Sequence, residues 1–155
     1  KQEVFVEMTD EKIAECIHKL TENSKPQWGI LTPQHLLEHL ENGYKIMSGE
    51  IQDFEIATPE KILDKVHNSL YNFEKFPRGT AFPTMKKGEV ENLIHADFDT
   101  AKAKFFEARE VYKTFFKQNP EAVMKNMVFG ELNKYESYLL ERKHLNHHFE
   151  QFNIL

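Results

Sequence analysis

Cysteine is almost missing from this 155-residue chain, with Cys16 the one thiol. No intramolecular disulfide can form, and no thiolate cluster can hold a metal. A lone cysteine suits a reducing cytoplasm, which is the expected location. Long apolar runs are missing too; none approaches the ~20 residues needed to span a bilayer. The opening Val4-Phe5-Val6 is flanked by charge and makes no h-region, so no signal peptide is expected. Blocks of positive charge are also lacking. Twenty Lys and Arg are interspersed with 25 Asp and Glu, for a formal net charge of -5. A nucleic-acid surface needs a basic stripe to neutralise phosphates, so that class of partner is excluded.

What the chain has in quantity is phenylalanine, 13 residues against one Trp and five Tyr. A Phe-packed core is expected, and the length favours one domain over residues 1–155. Start signals and apolar period mark five helical segments. Thr9 is a good N-cap, followed by Asp10 and Glu11 where a helix favours negative charge. Ile13, Ile17 and Leu20 then repeat at helical spacing, up to the break at Asn23-Ser24-Lys25-Pro26. Thr32-Pro33 opens a second helix with proline at the position that tolerates it. Leu36, Leu37, Leu40, Tyr44 and Met47 form its apolar face, and Ser48-Gly49 ends it.

Thr58-Pro59-Glu60 opens a third in the same way, with Ile62, Leu63, Val66, Leu70 and Phe73 as its stripe. From about Glu74 to Asp97 nothing periodic is visible. A loop of that length in a compact domain is functional or draped over the fold. Phe82-Pro83 and Met85 within it would suit the apolar roof of a lid. The fourth helix is the clearest. Phe98, Ala101, Phe105, Ala108, Tyr112 and Phe115 step by three and four until Asn119-Pro120 stops it. Asn133 with Glu136 is a capping-box variant that opens the fifth, followed by Tyr135, Tyr138, Leu139, Arg142, Leu145, Phe149 and Phe152. Val128-Phe129-Gly130 reads as a short extended piece, too little to make a sheet. The sum is an all-α antiparallel bundle with a long irregular crossover.

Eight histidines are spread unevenly. His35 and His39 stand four apart on the second helix, His144 and His148 four apart on the fifth, and His147 adds a partner three from His144. Residues four apart sit one above the other, so two imidazoles can turn toward one cation. Exposed histidines on a polar stripe would give the same spacing. Spacing therefore does not choose among the five.

A resemblance does. Trp28-Gly29-Ile30-Leu31-Thr32-Pro33-Gln34-His35-Leu36-Leu37-Glu38-His39-Leu40 resembles the opening block of one branch of the DinB-like (YfiT-like) superfamily. Phe129-Gly130-Glu131-Leu132-Asn133 through Lys143-His144-Leu145-Asn146-His147-His148-Phe149-Glu150-Gln151-Phe152 resembles that branch's closing block. The resemblance implies an up-down-down-up four-helix bundle, one of the five helices being an extra. It also implies a divalent cation (Zn, Ni or Mn) on His39, His144 and His148. His35 would depart from the pattern as a ligand, and His147 matches a histidine commonly found beside the ligands.

Three imidazoles leave a coordination position for water or substrate. The superfamily includes metal-dependent transferases that use low-molecular-weight thiols. A thiol S-transferase or hydrolase is therefore implied, with a non-enzymatic metal-binding or stress-associated protein as the alternative. Glu141, one turn before His144, would orient that imidazole or act as a base, unless it is a solvated glutamate paired with a neighbouring Lys or Arg. Glu38 points elsewhere and is no such base. Cys16 is expected to be buried, while Trp28 and Tyr44 would pack or line a pocket. Bundles with apolar outer faces often dimerise, so a homodimer is a further expectation.

Overall fold

The computed structural model describes residues 4–79 and 89–155. Among these the fold is mostly helical: α1 (Asp10–Lys19), α2 (Pro33–Met47), α3 (Glu60–Asn68), α4 (Phe98–Gln118) and α5 (Lys134–Gln151), with a 3-10 turn at Ser69–Tyr71. One hairpin, β1 (Met124–Asn126) with β2 (Gly130–Leu132), stands between α4 and α5. None of these helices is long and apolar enough to cross a membrane.

The helix starts follow local chemistry. Thr9 accepts from the Lys12 amide, Thr32 from the His35 amide and Asp97 from the Thr100 amide. At α5 the capping box closes both ways between Asn133 and Glu136, satisfying two amides that the first turn leaves free. Gly49, at φ +81°, closes α2 with its amide on the Ile46 carbonyl. The α4 stop is doubled, since both the backbone amide and the side-chain amide of Asn119 donate to the Phe115 carbonyl.

Three expectations are corrected. Thr58 does not cap α3: its hydroxyl donates to the Val128 carbonyl, and Pro59 occupies the cap without a side-chain bond. The α3 stripe is also shallow, with Ile62 and Phe73 exposed and only Leu70, in the 3-10 turn, fully buried. The extended piece at 128–130 is the end of a loop entering β2. The Asn126 side chain accepts from the Val128 and Phe129 amides and bends the chain there, pairing Met124 with Leu132.

The core draws Ile13 and Ile17 from α1, Leu36 and Leu40 from α2, Phe105 from α4, Leu132 from β2, and Leu145 and Phe149 from α5. Helix α2 runs along α4, the most extensive helix–helix packing among the described residues. On α4 the buried row is Phe98, Ala101, Phe105, Ala108, Tyr112 and then Phe116, with Phe115 half-buried. A straight helix turns 3.6 residues, so a strict three-four seam drifts off the core by its last step. Helix α5 is buried on several sides. Its polar Ser137, Glu141, Lys143, Asn146, His148 and Gln151 are all below a tenth exposed.

Candidate metal centre

Two helices and two loops build the site. His39 sits on α2 between Leu36 and Leu40, which are both buried, so its ring lies at the margin of the core face. His144 and His148 stand one turn apart on α5, flanking buried Leu145 and Phe149. The three rings close on one another with centroid separations of 4.9 Å (His39–His144), 4.9 Å (His39–His148) and 4.6 Å (His144–His148). The Nε2 of His144 lies 2.9 Å from that of His39 and 3.0 Å from that of His148.

That geometry suits a cation. Three bonds of ~2.0–2.1 Å at tetrahedral angles would put ligand nitrogens about 3.3 Å apart. The two contacts made by His144 are slightly tighter, and all three ligand atoms lie within 4.8 Å of one another. Electrostatics agree. Burial pushes the His39 imidazole down to about 4, helped by His147. Burial, then the neighbouring histidines, drives His144 well below the ordinary range, and burial with His39 does the same to His148. Rings held neutral keep lone pairs for a metal.

The other two candidates stay outside. The His35 Nδ1 accepts from the Thr32 hydroxyl at 2.6 Å and its Nε2 donates to the Glu91 carbonyl at 3.0 Å. Both nitrogens are used to hold the α2 start and the stretch before α4. His147 lies beside the triad, its ring 5.5 Å from Trp28, 6.1 Å from Phe76 and 5.0 Å from His148. Arg78 covers the outer face of Trp28 at 4.0 Å. A cleft of about 140 Å³ runs past His147, lined by Phe5, Lys75, Phe76, Arg78 and Lys143 among others, and none of the triad lines it.

Glu141 takes the alternative reading, an arginine pair. Its Oε2 accepts from the Tyr44 hydroxyl at 2.6 Å and from Arg109 Nε at 2.8 Å. Arg109 in turn donates to Asp10 at 2.6 Å. The glutamate is paired with an arginine, but in the core rather than in solvent, and Tyr44 joins that pair instead of a pocket. Cys16 is fully buried, and burial raises its thiol further, favouring the unreactive protonated form.

The irregular crossover is tied down over 91–95. Glu38 accepts from the amides of Ile94 and His95, Gln34 donates to the His95 carbonyl, and His95 meets Glu41 at 2.7 Å. Glu38 therefore holds the loop. The lid residues Phe82, Pro83 and Met85 lie outside the described residues.

Sequence reasoning did not single out Gln151. It is 4% exposed, and its Oε1 lies 2.8 Å from the Nδ1 of His148. Its position three residues after a candidate ligand was the available signal. Comparison with known protein families, curated proteins and solved structures yields no match to this chain.

Proposed function

We propose that this chain is a metal-dependent enzyme of the DinB-like type, an up-down-down-up four-helix bundle with α3 as the extra helix. Its class is thiol S-transferase or hydrolase. The observation that carries the reading is the meeting of three imidazole nitrogens within 4.8 Å, His39 from one helix and His144 and His148 from another, with His39 and His144 105 residues apart in sequence. His39, His144 and His148 would hold the ion. Three imidazoles suit Zn or Ni, and Mn is the third candidate by resemblance.

A divalent cation held there would supply Lewis acidity to an incoming thiol or water. The chain's residues do the rest. The buried helices keep bulk water from the imidazoles, and Trp28, Phe76 and His147 form an aromatic wall beside them. The tag-free chain should transfer a low-molecular-weight thiol to an electrophile, or hydrolyse an ester or amide, only with Zn²⁺, Ni²⁺ or Mn²⁺ added. That rate should vanish in His144→Ala.

One observation favours a second reading, a metal-binding protein without catalysis. No carboxylate joins the three-histidine group among the described residues, and Glu141 is committed to Arg109. No metal-dependent rate across both panels, with metal retained, would decide for it.

A further inference from the structure

We infer that Gln151 is a positioning residue for the three-histidine site, fixing His148 as the tautomer whose Nδ1 carries the proton and whose Nε2 faces the cation. The inference rests on the metal reading above only in what the freed Nε2 is for.

A neutral imidazole carries its proton on one nitrogen or the other, and its partners choose. Here Nδ1 faces Gln151 Oε1 at 2.8 Å and Nε2 faces His144 Nε2 at 3.0 Å. An amide can present either its oxygen or its NH₂ group, so Gln151 alone does not settle the tautomer. Its other end does. Gln151 Nε2 lies 3.0 Å from the backbone carbonyl of Trp28. A carbonyl only accepts, so the NH₂ must point to Trp28 and the oxygen to His148. Nδ1 then has to donate, and the lone pair is left on Nε2, among the ring nitrogens of His39 and His144.

The loop that supplies the carbonyl is itself anchored to the end of α5. Gln27 donates its backbone amide to the Gln151 carbonyl at 2.7 Å and its side-chain amide to the Glu150 carbonyl at 2.6 Å. The Gln151 carbonyl at the helix end is thereby satisfied, the Glu150 carbonyl gains a partner beside the Asn153 amide, and the same contacts set the height of Trp28. At Gly29, φ is +80° and an added Cβ would sit 3.0 Å from Gln151 Nε2. The chain therefore approaches Gln151 closely where it has no side chain. Because the acceptor is an amide rather than a carboxylate, the positive charge of the cation is not reduced from behind His148. An anionic incoming group, such as a thiolate, gains most from that.

The test combines long-range ¹H–¹⁵N spectra of the His148 ring with zinc competition titrations on the full chain. Wild type should show a protonated Nδ1 with and without zinc, and Nε2 ligation when zinc is present. Gln151→Leu should bind zinc about 10- to 100-fold more weakly, with a mixed His148 tautomer. Gln151→Glu, which still accepts from Nδ1, should keep that tautomer and most of the affinity while loosening the Trp28 loop. A protonated Nε2 in zinc-free wild type, or Gln151→Leu binding zinc as tightly as wild type, would overturn the inference. Should wild type take up no zinc, the metal reading fails by itself. The tautomer of the zinc-free ring then still decides for or against Gln151. It decides equally if Gln151→Leu does not fold.

Discussion

Arg109 Nε and Glu141 Oε2 lie 2.8 Å apart, buried where α4 meets α5, and the Tyr44 hydroxyl from α2 shares the same oxygen. Neither side chain is a tenth exposed. Removing one partner strands the other in a low dielectric. Arg109→Met should destabilise the fold by about 3–5 kcal/mol in urea unfolding. The double variant Arg109→Met, Glu141→Leu should recover most of that loss, because the charge to be desolvated is gone. A double variant as unstable as the single one would mean that the pair fixes packing rather than charge.

His67 joins α3 to the start of α5. Its Nδ1 faces the Phe129 carbonyl at 2.9 Å and its Nε2 the Glu136 carboxylate at 2.7 Å, with Tyr71 donating to the same carboxylate. Burial alone would lower the imidazole, but the hydrogen bonds to Phe129 and Glu136 raise it above its ordinary value. Burial would raise Glu136, and the Asn133 amide, Tyr71 and His67 lower it instead. The signs follow. The His67 contribution is complete below the unfolded histidine value of ~6.5 and is lost as pH rises through the folded one. The Glu136 contribution is complete above ~4.3 and is lost as pH falls through its depressed value. The difference in stability between wild type and His67→Ala should therefore be greatest between these limits and shrink on both sides. A difference flat across that range would contradict the ion pair.

Gly29 should not tolerate a side chain. Gly29→Ala meets the positive φ, which costs roughly 1–2 kcal/mol, and its Cβ crowds the Gln151 amide at 3.0 Å. Both stability and zinc affinity should fall. Gly43, whose Cβ would meet nothing within 4 Å, is the control. Gly43→Ala, inside α2, should match or exceed wild type in stability.

Phe105 is fully buried, stacked edge-on against Tyr44 and Phe106 with centroids at 5.8 and 5.0 Å. Phe105→Ala should cost about 3–5 kcal/mol. Zinc uptake by the fraction still folded should be unchanged, which separates core packing from the histidine site in one titration.

Much of this was legible in the sequence where the physics is local. Thr9, Thr32 with Pro33, and Asn133 with Glu136 mark true helix starts because a cap needs only residues within one turn. The three-four rows on α2 and α4 locate true buried faces for the same reason. Spacing alone left five histidines open, whereas the structure gathers His39, His144 and His148 and turns His35 toward Thr32 and Glu91. Illegible were the partners that local rules cannot reach. Lys143, buried on α5, donates to the carbonyls of Ser69 and Glu74 and to Asn72, and Asn146 exchanges hydrogen bonds with the Val6 backbone. Each polar residue breaks the apolar pattern of α5, and its compensation comes from an irregular segment with no period to read. The hairpin hid likewise, its strands being three residues each and its turn set by one side chain, Asn126.

The most direct test of the three-histidine site is a zinc competition titration of the tag-free chain beside His39→Ala, His144→Ala and His148→Ala. One tight equivalent in wild type, lost in each variant together with zinc's stabilising effect on the melting temperature, is the predicted result. A wild type without stoichiometric zinc, melting at the same temperature as all three variants, would contradict it.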